Sequence, residues 1–158
     1  MKTMIRLIAL ILLATSCSDE LTENSSDKNS DKLILRDQSI YESTLLDLEQ
    51  NKIDSDLFAL HEVSVADKKL QIKVSYSGGC QTHKFQIIWP EVITMIYPPD
   101  FSVVLMHDNN GDMCEAYLTE TISFDLINDD INLSDDAINE MRITVINGSN
   151  PDEIVSNR

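Results

Sequence analysis

The stretch from Ala59 to Tyr76, ALHEVSVADKKLQIKVSY, alternates apolar and polar residues with a period of two. A tight turn at Asp67-Lys68 pairs Val65 with Leu70, Val63 with Ile72, His61 with Val74 and Ala59 with Tyr76, so that all eight share one side. Because side chains alternate along a strand, a slip of one residue would move this whole set to the opposite face. Agreement between turn position and pattern therefore specifies an antiparallel hairpin with one buried face, and it excludes a helix.

The same test applies to FSVVLMHDNNGDMCEAYL, residues 101–118. Asn110-Gly111 suits a two-residue type I′ turn, since both residues tolerate positive φ. With that turn, His107 is expected opposite Cys114, Leu105 opposite Ala116 and Val103 opposite Leu118, all on the buried face. Lys84–Pro90 reads as a further strand, Thr121–Ile127 as an extension of the preceding one, and Arg142–Ile146 as the last. Ser134 is placed to cap a short helix in DDAINEM. Such strands without βαβ alternation predict an all-β fold: a small single-domain β-sandwich or open barrel built from antiparallel hairpins, over residues 57–148. Residues 37–56 read as a weak helix or loop at the domain edge, and residues 149–158 as a frayed tail.

The amino terminus, MKTMIRLIALILLATSC, has basic Lys2 and Arg6, an apolar run from Leu7 to Ala14, and small residues before Cys17. This is the pattern of a signal peptide, residues 1–16, and its apolar run is about half the roughly 20 residues a spanning helix needs. Residues 17–36 are rich in Ser, Asp, Asn and Lys and read as a disordered tether, because they bury too little apolar surface to offset ordering entropy. The chain has 12 basic and 27 acidic residues; cleavage before Cys17 removes Lys2 and Arg6 and leaves a formal charge of −17. A surface this acidic repels nucleic acid and anionic headgroups, and is compatible with an envelope protein or a cationic ligand as partner.

Cys80 and Cys114 are expected to form a disulfide, the usual fate of two cysteines in an exported domain. In the chain-entropy model this closure contributes roughly 4 kcal/mol. Two alternatives use the same residues. Cys80-x2-His83 with His107-x6-Cys114 supplies four ligands of zinc type. A Cys80/His83 or Cys114/His107 dyad would make a thiol-dependent enzyme, if a thiol were exposed and its pKa lowered by its partner. Asp108, Asn110 and Asp112 recur at the alternate spacing of a calcium loop, but Met113 and Thr119 stand where that loop needs Gly and Glu, so a solvated turn is expected. His61 is expected to be a satisfied core histidine. Trp89 before Pro90 and Tyr97 before Pro98 are expected to pack in the core and stiffen a loop. The balance favours a non-catalytic domain without a cofactor.

Two resemblances extend this reading. Ala14-Thr15-Ser16-Cys17 resembles the lipobox of bacterial lipoproteins, with Ala14 in the place usually held by Leu. That implies lipidation of Cys17 and anchorage to the outer membrane. Ser18-Asp19-Glu20 resembles the acidic tag that exports some lipoproteins to the outer face. Secondly, the pattern SGGC-x2-H-x-F followed by H-x4-D-x-C is similar to that of small, largely uncharacterised bacterial envelope lipoproteins. It is formed here by Cys80, His83, Phe85, His107, Asp112 and Cys114, with Phe124-Asp125-Leu126 after it. The resemblance implies a compact β-domain on a lipid anchor and brings no activity with it.

Overall fold

In the strands that form the core, two sequence patterns divide the labour. Strict alternation appears where one sheet face meets solvent, and continuous apolar runs appear where both faces are covered. The computed structural model describes residues 31–91, 97–127 and 133–158. The expected signal peptide, Cys17 and the tether up to residue 30 lie outside the described residues.

In chain order the elements are β1 (Asp31–Arg36), α1 (Gln38–Glu49), β2 (Ala59–Ala66), β3 (Lys69–Gly78), β4 (Lys84–Trp89), β5 (Asp100–Asp108), β6 (Ala116–Asp125), α2 (Asp135–Glu140), β7 (Arg142–Asn147) and β8 (Asn150–Ser156). They form a five-stranded sheet, β1-β4-β5-β7-β8, and a three-stranded sheet, β2-β3-β6. The expected all-β fold with antiparallel hairpins is present as two open sheets. Two parallel pairs, β1 with β4 and β5 with β7, are added to the antiparallel ones. Leu70, Ile72, Val74, Ile122 and Phe124 of the small sheet pack against Phe85, Ile87, Trp89, Val103, Leu105, Ile143 and Val145 of the large one.

On its outer face the large sheet carries α1. The Asp37 side chain accepts a hydrogen bond from the Ile40 N–H and caps the helix start. Leu48, with Tyr41 and Leu45, then covers Ile88 and Val104. This is why Ile87-Ile88-Trp89 and Val103-Val104-Leu105 are unbroken apolar runs: Ile88 and Val104 face the helix while their neighbours face the other sheet. Residues 37–56 therefore hold a formed helix of 12 residues where a weak helix or loop was expected.

Four further expectations are corrected. Asp31–Arg36, assigned to the tether, is an edge strand pairing with β4. Residues 149–158, assigned to a frayed tail, contain β8, which pairs with β7. The turn at Asp67-Lys68 is present, both residues having positive φ, and Val65↔Leu70 and Val63↔Ile72 pair as expected. Beyond them a bulge between Leu60 and Glu62 shifts the register, so Leu60 pairs with Val74 and Ala59 with Ser75. The bulge exchanges polar His61 for apolar Leu60 on the buried face, and His61 lies on the outer face, where Nε2 meets Ser75 Oγ at 2.8 Å.

The fourth concerns Asn110-Gly111. Both residues have positive φ and the Asp112 N–H donates to the Asn109 carbonyl at 3.0 Å, so the tight turn forms. The strands on either side nevertheless part: β5 pairs with β4 and β7, and β6 pairs with β3 in the other sheet. The expected pairs of His107 with Cys114, Leu105 with Ala116 and Val103 with Leu118 do not form. Short, half-polar Asp112–Glu115 bridges the two layers instead of extending a ladder. Trp89 is fully buried as expected, whereas Tyr97 is 65% exposed and forms no part of the core.

At the end of the sandwich, fully buried Asn147 ties the layers together. Its Nδ2 donates to the Phe58 carbonyl at 2.9 Å and to the Glu153 carboxylate, and its Oδ1 accepts from the Ser149 N–H at 2.9 Å. Glu153 also accepts from the Leu60 N–H at 3.1 Å. Deleting residues 149–158 removes Glu153 and Ser149, leaves the Asn147 Oδ1 and the Leu60 N–H without these partners while the Phe58 carbonyl remains, and costs about 1–3 kcal/mol for each orphaned group. The truncated protein is expected to lose at least about 3 kcal/mol of stability; a urea midpoint equal to that of the full chain would restore the frayed-tail reading.

Candidate functional site

Every residue singled out by the Cys/His pattern belongs to one corner of the sandwich, where β3 passes to β4 and β5 crosses to β6. Its construction begins with Gly78. A Cβ there would lie 2.6 Å from Cε1 of His83 and 3.0 Å from Oδ2 of Asp112. Only a glycine lets the His83 ring lie against the backbone at this point. Gly79 follows with φ +115°, a conformation that side-chain-bearing residues rarely adopt, and turns the chain away from β3.

The bend so formed points three consecutive amides at a single atom. The N–H groups of Gly79, Cys80 and Gln81 each donate to Asp112 Oδ2 at 2.8 Å. The Cys114 N–H donates to Oδ1 at 2.8 Å, and His83 Nε2 lies 3.2 Å from Oδ2. The Asp112 side chain is fully buried. These donors, led by the backbone N–H groups of Cys114 and Gln81, outweigh burial and hold the carboxyl well below the usual carboxylate range. The turn tip is solvent-exposed at Asp108, Asn110 and Gly111 as expected, but Asp112 turns inward as an acceptor whose oxygens are occupied by N–H donors.

Behind Asp112 the two histidines form a chain. His83 Nδ1 and His107 Nε2 are 2.8 Å apart, and His107 Nδ1 lies 3.3 Å from the Asp56 carbonyl oxygen. Both ends of this chain are acceptors: an ionised carboxylate at one, a carbonyl at the other. His107 Nδ1 and His83 Nε2 must therefore each carry a proton, and the central bond needs one more. Burial, then the adjacent His83, pushes the His107 pKa down. The two rings lie edge to edge and nearly coplanar across the central bond, 19° apart, with Phe85 stacked on His107 at 4.6 Å and Tyr76 tilted against His83 at 4.5 Å. Tyr76 donates to Glu120 at 2.6 Å, and burial followed by this bond raises its pKa.

Cys80 and Cys114 come together at disulfide distance, with Cα atoms 5.9 Å apart. Their sulfurs and a carboxylate oxygen of Asp112 lie within 4.8 Å of one another. The four residues of the zinc alternative share the corner but do not converge as ligands. Each of the four ring nitrogens of His83 and His107 is engaged by the other ring, by Asp112 or by Asp56. Neither dyad of the thiol-enzyme alternative forms either, since no ring nitrogen is engaged by a sulfur. Asp112 orients His83 from 29 residues away in the sequence. The signal that could have found it is Gly78-Gly79, which marks a close backbone approach before the partner is known.

Beside this corner, Leu33, Asp54, Lys84, Gln86, Met106 and Asp108 line an open cleft of about 540 Å³, with Phe85 and His107 at its edge. Lys84 Nζ is 3.9 Å from Asp108 Oδ2. No helix among the described residues is long and apolar enough to cross a membrane.

No protein-family model matches the chain, and no curated protein matches it. Similar solved structures include a protein of unknown function, DUF1344, from Bacteroides vulgatus, with 16% identity and a TM-score of 0.47 over 79% of this chain and 53% of that one. A putative toxin-related protein from Parabacteroides distasonis has 15% identity and a TM-score of 0.45 over 78% and 58%. A NigD-like immunity protein from Bacteroides caccae has 16% identity and a TM-score of 0.44 over 73% and 51%. The chain spans just over half the length of each, and at this level of similarity no activity transfers to it.

The site makes stability depend on acid in a stated direction. A carboxyl whose folded pKa is depressed contributes stability that is present above its unfolded pKa, about 3.9, and lost as pH falls below it. The lowered His107 pKa acts in the same sense, starting below about 6.5. Asp112→Asn is therefore expected to be less stable than wild type at pH 7, with the gap narrowing as pH falls from about 5 to 2. Urea midpoints across that range test this, and a gap independent of pH would contradict the assignment.

Proposed function

We propose that the chain is an outer-membrane lipoprotein, lipidated at Cys17, which presents a small acidic β-domain as a non-catalytic binding or structural accessory. One observation carries the non-catalytic part: every group able to do chemistry in the Cys/His corner is already engaged by another group of the chain. The two sulfurs are at bonding distance, the four histidine ring nitrogens have partners, and the Asp112 oxygens accept from backbone N–H groups. A nucleophile or a metal site needs an unengaged lone pair, and this corner spends its lone pairs internally. The lipid anchor rests on the lipobox resemblance and the signal-like amino terminus. Three acyl chains contribute roughly 0.8 kcal/mol per buried methylene, enough for stable anchorage.

The partner is proposed to be cationic, an envelope protein or a small basic ligand. Supporting this are the formal charge of −15 for the whole chain and the cleft in which Asp54 and Asp108 outnumber Lys84. Association with a lysine-rich peptide is expected to weaken with added salt and to weaken further in Asp54→Asn and Asp108→Asn. Binding indifferent to both salt and substitution would remove the cleft from consideration.

Thiol titration with mass spectrometry on the purified protein tests the central reading. A Cys80–Cys114 crosslink is expected; two reduced thiols with stoichiometric zinc would establish the metal alternative, and one cysteine alkylating far faster than the other would favour the thiol enzyme. Labelled palmitate is expected to enter the wild-type protein and not Cys17→Ala. Protease treatment of intact cells is expected to remove the domain, and complete protection would place it on the inner side.

A further inference from the structure

Three amides aimed at one point form an anion-binding concavity whichever anion fills it. Here the donors of Gly79, Cys80 and Gln81 converge on one oxygen at 2.8 Å, and the ring of His83 adds a fourth donor at 3.2 Å. The occupant, Asp112, comes from a turn more than 30 residues further along the chain. On the bend's own side, the bare Gly78 backbone admits the His83 ring, the Gly79 φ of +115° turns the chain, and His83 packs against Tyr76 and hydrogen-bonds His107.

We propose that the 79–83 bend is a carboxylate receptor, held filled in the intact chain by the Asp112 side chain, which takes a free small monocarboxylate when that side chain is removed. A carboxylate suits the site because its two oxygens have different hosts: the four-donor concavity for one and the Cys114 N–H for the other. A halide has a single centre and satisfies only the first. The side chains of His83 and Asp112 are 1% and 0% exposed, which leaves no room for a bulkier oxyanion. The inference is independent of the lipid anchor and of any partner.

Two truncations give the receptor a shape-dependent signature. Asp112→Ala removes the carboxylate and keeps Cβ, so the vacated space matches formate. Asp112→Gly removes Cβ as well, so the space matches acetate. Melting of each variant in sodium formate, acetate and chloride at equal ionic strength is expected to show a saturable rise of about 4 °C or more. Formate should lead for Asp112→Ala and acetate for Asp112→Gly, with no such rise in chloride or in the wild-type protein, whose receptor is filled. No carboxylate-specific rise in either variant overturns the proposal, as does a rise of equal size in wild type or one indifferent to the variant, which marks a general salt effect. If a variant does not fold alone, it is refolded from urea with and without its matched carboxylate. Recovery only with the carboxylate supports the receptor, and no recovery at saturating concentration overturns it.

Discussion

The buried Asp112 carboxylate is the interaction on which this corner of the molecule depends. It accepts backbone N–H groups from the β3–β4 bend at one oxygen and from its own turn at the other. An anion in a low-dielectric interior is costly unless its lone pairs are met. Here several charge-assisted bonds, each stronger than its neutral counterpart, hold the carboxylate ionised and hold the two segments together. The Cys80–Cys114 pair, at disulfide distance, spans the same junction where the chain changes sheets.

The anion in turn dictates what the two histidines are for. With a carboxylate at one end and a carbonyl at the other, the His83–His107 pair runs as a hydrogen-bonded chain from Asp112 to Asp56. The rings are also packing elements, packed with Phe85 and Tyr76 in the main core. Each histidine is both a core ring and a member of a hydrogen-bonded chain that engages all four ring nitrogens. The Cys/His pattern thus marks a structural junction, and the open cleft lined by Asp54, Lys84 and Asp108 lies beside it on the surface.

Much of the fold was legible because local rules and burial agreed. Val63 and Val65 meet Ile72 and Leu70 about a positive-φ turn, and Ser134 caps α2, as spacing alone requires. Legibility failed where burial overrode alternation. At Leu60–Glu62 a bulge costs a ladder position and places a leucine inside instead of a histidine. In β8, the sequence NPDEIVS shows little apolar pattern, because half of its value lies in Glu153 reaching the buried Asn147 and the Leu60 amide. β1 was hidden in a polar segment, since an edge strand needs only one neighbour and little apolar surface.

By itself the sequence determined the strand periodicity, the positive-φ turns, the helix caps and the residues that would share the site, because these follow from short-range sterics and hydrogen bonding. Whether the Asn110-Gly111 turn would close a hairpin or pass between layers was decided only by tertiary structure. A two-residue turn constrains about four residues, whereas the choice of sheet rests on where β5 and β6 bury their apolar faces. That choice brings Asp112 under the Gly78-Gly79 bend and opposite His83. No spacing rule connects residues so far apart; the three-dimensional path of the chain does.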